Sequence, residues 1–407
     1  MSIAAPPLAG LRWLTAALAG YGLAALLWLL LGDDLPGGRW FAVHLFSVGV
    51  LSNAIVALTD HFGRALTKTG LPDRRAIRLV ALNLGAVGVL SFPVGWGWPP
   101  VAGGVLVLGV VAWLAVDLRR MAATALGTRF VFIVNGYVAA CAAFLGGTMV
   151  GTLLAAGAIP ASWYGAARTT HLHLNILGWG GLTLLATVVF FGPTLMRIRM
   201  RDGADVLAAR ALPAATAGLA VAATGLLTMP ANPTVGRVTA GLGLAVFAAA
   251  ATAVCADVLR AGRAAKPAVH SWMIQAACVW FVAVVWADVV VVAAQWYRLL
   301  DALGVALIVG VLGQAIIASV NYLTPMVWVG GPDARNTARE RLEQLGAGRA
   351  ALLNAGAALV VVSAAVGPAW GASGAAVARS GWVLVGAVVV AQLGLSVLAV
   401  GRARDVR

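Results

Sequence analysis

The chain has 407 residues, of which 61% are hydrophobic and only 10% are charged. Soluble globular domains carry roughly 25% charged residues, so a soluble protein of this length is excluded because it would lack the polar residues to cover its surface. Three isolated cysteines, Cys141, Cys255 and Cys278, form neither a disulfide framework nor a CxxCH motif for covalent haem attachment. The composition therefore predicts an all-α polytopic membrane protein.

Twelve apolar stretches are long enough to cross a bilayer, for which an α-helix needs about 20 residues. The first stretch is too long for a signal peptide and lacks a small-x-small cleavage site, so we expect it to be a transmembrane helix. The predicted spans are at about 8–31, 40–62, 78–96, 100–118, 130–157, 168–196, 207–229, 234–260, 269–296, 301–328, 349–369 and 377–401. Together they predict a single transmembrane domain over residues 1–407.

The basic residues are distributed unevenly between alternate loops. If the N-terminus is cytoplasmic, all but five of the 28 basic residues lie on the inner side of the membrane. The five on the outer side are Arg39, Arg168, Arg237, Arg298 and Arg379. Because an excess of Lys and Arg marks cytoplasmic loops, we expect both termini to be cytoplasmic. The net charge of +14 is then a topology signal and not the footprint of a nucleic-acid-binding protein.

The longest cytoplasmic loop is predicted at residues 330–348. A short surface helix is expected within it, at about 338–345. No outer loop is long enough to fold as a domain of its own.

The five histidines are the first candidates for function, because ionisable groups within membrane spans are costly and are usually retained for a role. His44 lies about one turn into the second predicted helix, and His171 and His173 lie about one turn into the sixth. Both helices run inward, so these three side chains are expected at one depth near the outer face. His61 and His270 are expected near the inner face.

The two histidines of the HxH motif are separated by about 200° on a helix. His171 and His173 therefore point to opposite flanks of the sixth helix and are suited to two different sites. One of them is expected to face His44 across a planar macrocycle, as bis-imidazole ligation of a b-type haem requires. Arg39 and Arg168 lie close to these positions in the sequence and are predicted to pair with the haem propionates.

Two motifs resemble known proteins. The segment 44–53, followed by His61-Phe62, is similar to the second helix of haem-copper oxidase catalytic subunits. The segment 171–179 resembles the HxH…GW helix of the cbb-type members. This resemblance implies that His44 and His173 hold a low-spin haem, and that the first histidine of HxH faces a second site.

A closer resemblance is to the polytopic domain that is fused to, or encoded beside, copper nitrite reductases and multicopper oxidases in some Gram-positive bacteria. Both motifs recur in that domain, together with a later SYLxP segment that is matched here by residues 321–325. The resemblance implies an integral membrane electron-transfer protein of the bacterial cytoplasmic membrane. The predicted haem lies near the outer face beside short outer loops, and Asp288 of the ninth predicted helix lies in the same outer half. We therefore expect electron transfer from quinol to an extracytoplasmic copper protein such as a nitrite reductase.

Oxygen reduction by this chain alone is not expected. Haem-copper oxidases bring three further histidines to copper, as well as a tyrosine cross-linked to one of them. The sequence has no HPxxY motif, no His-His pair and no third histidine-bearing helix on the outer side. The HxH motif also lies on the sixth helix, whereas it lies on the tenth in the oxidases. Electron transfer is therefore the favoured function.

Several of these residues have a second interpretation. Asp288, deep in the outer half of the ninth helix, is predicted to accept a proton at a quinol site, or else to be bonded to a polar group on a neighbouring helix. His61 and His270 suit either the headgroup zone or a second cofactor, haem or copper, on the cytoplasmic side. The outer histidines have an alternative role as interfacial residues that cap helix starts.

Two other functions would use the same features. Twelve helices suit a major-facilitator-like secondary transporter, and residues 60–64 partly match the loop signature of that family. A haem-free copper-handling membrane protein would use the same histidines, although the chain has no Met-rich segment to suit cuprous ion. The favoured cofactor is one b-type haem, with a second haem or copper as the alternative. The expected partners are membrane lipid, quinol and an extracytoplasmic copper protein, with homo-oligomerisation left open and nucleic acid excluded.

Overall fold

The computed structural model describes residues 12–31, 35–95 and 97–405. Within these ranges the chain is helical and contains no strand. Twelve of the described helices are long and apolar enough to cross a membrane, so the prediction of an all-α polytopic membrane protein is confirmed. The start predicted for the first span, near residue 8, lies outside the described residues, and the cytoplasmic location of both termini stays a prediction.

The helices are numbered in chain order. The first five spans are α1 (Arg12–Leu31), α2 (Gly38–Thr67), α3 (Arg75–Leu90), α4 (Pro99–Ala123) and α5 (Val131–Ala155). The next five are α6 (Ala161–Met196), α7 (Ala204–Thr228), α8 (Pro233–Gly262), α9 (Val269–Ala293) and α10 (Tyr297–Trp328). The longest loop contains α11 (Pro332–Leu342), and the last two spans are α12 (Gly346–Trp370) and α13 (Ala372–Asp405).

The loop helix α11 begins and ends earlier than the sequence indicated. Pro332 stands at its start, where the fixed φ of proline suits the first turn and its missing N–H removes no helical bond. Asp333 lies in the first turn and Arg339 and Arg341 lie in the last turn, so the charges oppose the helix dipole at both ends. These end signals account for the shift towards the N-terminus.

In the described part of the chain, three spans contain a π-helical segment. These are Leu45–Leu51 in α2, Leu174–Leu182 in α6 and Ala306–Gly313 in α10. The first two begin directly after His44 and His173. Because π-helical turns are rare and frequently occur at functional sites, their position draws attention to the same two helices as the histidines.

The spans α2 and α6 are the most buried of the twelve described. Trp179, fully buried in α6, packs its ring against Phe144 of α5 with centroids 4.7 Å apart. Its indole N–H donates to the Ser52 hydroxyl of α2 over 3.1 Å. This tryptophan therefore joins α2, α5 and α6 at the centre of the bundle, between the histidines and the deeper part of the helices.

Candidate cofactor site

His44 of α2 and His171 of α6 face each other. Their ring centroids are 6.4 Å apart and their ring planes differ by only 14°. Each ring is fixed by a hydrogen bond of 2.8 Å, in which Nδ1–H donates to a backbone carbonyl, that of Trp40 for His44 and that of Gly147 for His171. This tautomer leaves the lone pair of both Nε2 atoms free, which is the state that a metal-binding imidazole requires.

Residues around the two rings hold them in place. Trp40, one turn before His44, stacks on its ring with centroids 3.9 Å apart. On the opposite side, His171 lies against α5 at Gly151, where an added Cβ would approach the ring Cε1 to 2.4 Å. Only glycine permits this approach, so α5 forms part of the site. The sequence indicated α2 and α6 alone, although the spacing of Gly147 and Gly151, one turn apart, was an available signal.

His173 points to the other flank of α6 and faces Asp288 of α9. Its Nε2 atom lies 3.1 Å from Asp288 Oδ2 and 3.3 Å from Oδ1, and its Nδ1–H donates to the Thr169 carbonyl over 2.8 Å. The side chains are 1% and 6% exposed. Because Nδ1 already carries a hydrogen, the contact between Nε2 and the carboxylate requires a second proton on one of the two groups. The His173–Asp288 pair therefore holds one exchangeable proton in a buried position.

The pairing of the histidines differs from the one that the family resemblance implies. The resemblance places His44 and His173 on one haem, whereas the structure places His44 opposite His171 and directs His173 to α9. The reason is helical geometry, because α2 packs on the flank of α6 that presents His171. Asp288 contacts His173 on a neighbouring helix. One of the two interpretations of Asp288 predicted such a polar partner. Its role as a proton acceptor stays a prediction, and the acceptor would be the pair with His173.

The two outer arginines lie at the rim. Arg39 forms a long ion pair with Asp301, at 3.8 Å, and both side chains are largely exposed. Arg168 is also exposed. In the described ranges, no hydrogen bond or ion pair joins either arginine to a histidine. Their pairing with haem propionates stays a prediction.

Two facing imidazoles fit a haem better than a bare metal ion. Zinc and copper sites in proteins generally take three or four protein ligands, and no cluster of three or more His, Cys, Asp or Glu suited to a metal occurs in the part of the chain that the structure describes. A haem brings its own equatorial nitrogens and needs only two axial ligands. Metal–nitrogen bonds of about 2 Å on both sides would set the two ring centroids about 6 Å apart, close to the separation observed for His44 and His171.

His61 lies in a buried ionic network in the half of the bundle opposite to His44. Its Nδ1 atom is 3.4 Å from Arg75 Nη1. Asp60, fully buried beside it, forms ion pairs with Arg64 at 2.8 Å, Arg78 at 2.5 Å and Arg75 at 3.5 Å. These contacts give His61 a structural setting, and its role as a ligand of a second cofactor stays a prediction.

His270 has a different set of neighbours. Its Nδ1 atom lies 3.0 Å from Glu343 Oε1, and its ring meets that of Tyr322 edge to face with centroids 5.8 Å apart. Glu343 follows directly after α11 and also accepts a hydrogen bond of 2.8 Å from the backbone N–H of Val269. The contact ties the loop helix to the start of α9. As with His61, cofactor binding by His270 stays a prediction.

The contact with His270 lowers the pKa of Glu343. Burial alone raises the pKa of this carboxyl group, but the close contact with His270 and the hydrogen bond from the Val269 N–H outweigh burial and hold the pKa below its ordinary value of 4.5. A carboxyl group whose pKa is lowered on folding stabilises the folded state above the unfolded pKa. That stabilisation is lost as the pH falls through the lowered folded pKa.

We expect Glu343→Gln to remove this pH dependence. At neutral pH the variant should lose about 1–2 kcal/mol of stability, because the negative charge that faces His270 and accepts the hydrogen bond from the Val269 N–H is gone. Below pH 4.5 the melting temperature of the parent should fall more steeply than that of the variant. Melting in detergent, followed between pH 3.5 and 7, measures both effects. Glu340→Gln, an exposed position on α11, is the matched control, and equal pH profiles for Glu343→Gln and the parent would contradict the prediction.

Comparison with protein-family models and with curated sequences yields no relative. No family model matches the chain, and no curated protein sequence matches it.

Proposed function

We propose that this protein is a b-type haem electron-transfer protein of the bacterial cytoplasmic membrane. It passes electrons from membrane quinol to an extracytoplasmic copper protein such as a nitrite reductase. The observation that carries the proposal is the facing pair His44 and His171, with both Nε2 atoms free and both Nδ1 atoms anchored to carbonyls. A haem bound there supplies one-electron redox chemistry, which the protein tunes through its axial ligands and surroundings. The motif resemblance supports the same function.

The position of the pair suits exchange of electrons with an external partner. His44 lies near the first residue of α2, and His171 lies in the first third of α6. The connections at that end are short, because α5 ends at Ala155 and α6 begins at Ala161. With the orientation that the basic residues predict, this end faces the outside. A docked copper protein would then approach the site without an intervening domain.

The His173–Asp288 pair is proposed to hold a proton near the haem. Reduction of a haem adds one negative charge, and a proton held nearby lowers the free energy of the reduced state. His173 lies two residues after His171 on the same helix, so the pair is close enough for this coupling. In this proposal Asp288 acts through His173 and does not itself contact quinol.

The visible absorption spectrum of the purified protein tests the function most directly. We expect a Soret band, and sharp α and β bands after reduction with dithionite, at a content of one haem per chain. Elemental analysis for copper on the same sample separates the alternatives. Copper without haem bands would favour the copper-handling function, and a colourless, metal-free protein would favour the transporter; either result would reject the proposal.

A further inference from the structure

A cavity of about 140 Å³ lies between α1, α2, α6 and α10, away from the histidines. Its lining is mainly apolar and includes Ile55, Phe62, Leu184, Phe191 and Ile316. The cavity is partly open, and all of its walls belong to membrane spans. Ligand sites in proteins typically combine apolar walls with a few polar groups. An occupant would therefore come from the bilayer.

The hydroxyl groups on the cavity wall differ in their hydrogen bonds. Those of Thr59, Thr187, Ser319 and Thr324 each donate to the carbonyl four residues earlier in the same helix. The hydroxyl of Thr183 in α6 has no hydrogen-bond partner, although this residue is only 8% exposed. Leaving a buried hydroxyl unpaired costs about 1–3 kcal/mol. The unpaired Thr183 hydroxyl in the cavity wall is a group that a polar atom of an occupant would satisfy.

We propose that the cavity binds a prenylated membrane quinone or quinol, with a ring oxygen hydrogen-bonded to the Thr183 hydroxyl. A lipid acyl chain would fill the apolar volume but would leave the hydroxyl unpaired. The rings of Phe62 and Phe191, whose centroids are 5.0 Å apart, offer an aromatic surface to a flat ring. This inference rests on the proposed function, to which it adds the place where quinol binds.

The cavity also lies within reach of the facing histidines. Its outermost lining residues on the two shared helices are Leu51 of α2 and Gly180 of α6. Counted from His44 and His171, these positions are about 10–14 Å away along the helix axes at a rise of 1.5 Å per residue. The indole of Trp179, bonded to Ser52, lies in the same stretch of helix. A redox molecule in the cavity would thus be a near neighbour of the haem site.

Binding of decylubiquinone to the full chain in phospholipid nanodiscs tests the inference. The quinone quenches tryptophan fluorescence, and Trp328 lies in the cavity wall. We expect Thr183→Val, which removes only the hydroxyl, to weaken binding roughly tenfold, the loss of one hydrogen bond of about 1.4 kcal/mol. Thr183→Ser should restore it. Thr194→Val is the matched control, because Thr194 is exposed on the same helix and donates to the Phe190 carbonyl.

A second variant tests the cavity independently of the hydroxyl. Ala315 of α10 lines the cavity and is 9% exposed, so Ala315→Phe should fill the space and abolish binding. Unchanged affinity in both Thr183→Val and Ala315→Phe would overturn the inference, as would equal weakening by Thr194→Val. Because fluorescence quenching needs no haem, a haem-free chain that binds the quinone through Thr183 would reject the proposed electron transfer and still support the cavity. A haem-containing chain whose binding of the quinone does not depend on Thr183 would support the proposed electron transfer and reject the cavity as the quinone site.

Discussion

Replacement of either His44 or His171 by alanine is expected to abolish the low-spin haem spectrum, whereas replacement of His173 should leave it in place. The reason is that each Nε2 atom of the facing pair is free and fixed in direction, while Nε2 of His173 is engaged by Asp288. Loss of one of two axial ligands should convert any retained haem to a high-spin form or release it. Haem content and the reduced α band of the purified variants measure the effect.

The outcome shows whether His44 of α2 shares the haem with His171 or with His173 of α6. Loss of the low-spin spectrum in His173→Ala, together with its retention in His171→Ala, would favour the pairing that the family resemblance implies. His61→Ala is the matched control, because this histidine lies in the Asp60 network and should not affect the spectrum. Added imidazole should restore a low-spin spectrum to His44→Ala if that variant keeps the haem. Full haem retention with an unchanged spectrum in both His44→Ala and His171→Ala would contradict the assignment.

Span number and helical class could be predicted because they depend on local composition. Each stretch of about 20 apolar residues must satisfy its backbone internally in a bilayer, and a helix does so without help from other parts of the chain. The residues at which the helices begin and end were harder to predict. The second span was predicted to end at 62 but α2 continues to Thr67. The sequence showed charged residues there, but it did not show that Arg64 and Arg78 neutralise Asp60 and so allow the helix to continue.

The candidate site could be predicted in its residues and only partly in its arrangement. Helical periodicity was enough to separate His171 and His173 to opposite flanks. It could not show which flank meets α2, because the order in which helices pack is a tertiary property. The same limit applies to Gly151, whose lack of a side chain admits the ring of His171, and to Asp288, whose partner lies on another span. Each of these contacts joins residues that are distant in the sequence.

The π-helical segments are a second reason why the arrangement of the site could not be predicted from the sequence. The segment Leu174–Leu182 follows His173, and each extra residue in a turn rotates the rest of α6 by about 100° relative to an ideal α-helix. Thr183, directly after this segment, faces the cavity as a consequence. A pattern read with the α-helical period would assign it to another face. The segment therefore lies between the histidines of α6 and most of the positions that line the cavity, the first of which, Gly180, falls within it.

Replacement of Asp288 by asparagine is expected to remove most of the pH dependence of the haem midpoint potential. In the parent, the reduced haem would favour the form of the His173–Asp288 pair that holds its exchangeable proton, and the oxidised haem would favour release of that proton. The potential should therefore fall by up to about 59 mV per pH unit, the value for one proton per electron. Asparagine fills nearly the same volume but cannot share a proton with Nε2 of His173. Redox titrations of the purified protein between about pH 6 and 8, where a histidine titrates, measure the slope.

The same variant should slow reduction by a quinol analogue while leaving reduction by dithionite and the absorption spectrum intact, because the axial histidines are unchanged. Asp301→Asn is the matched control, since that carboxylate lies exposed at the same end of the bundle beside Arg39. An equal slope in the parent and in Asp288→Asn would show that the pair is only a structural contact between α6 and α9. A reduced slope in Asp301→Asn as well would mean that a general surface charge, and not the buried pair, controls the potential.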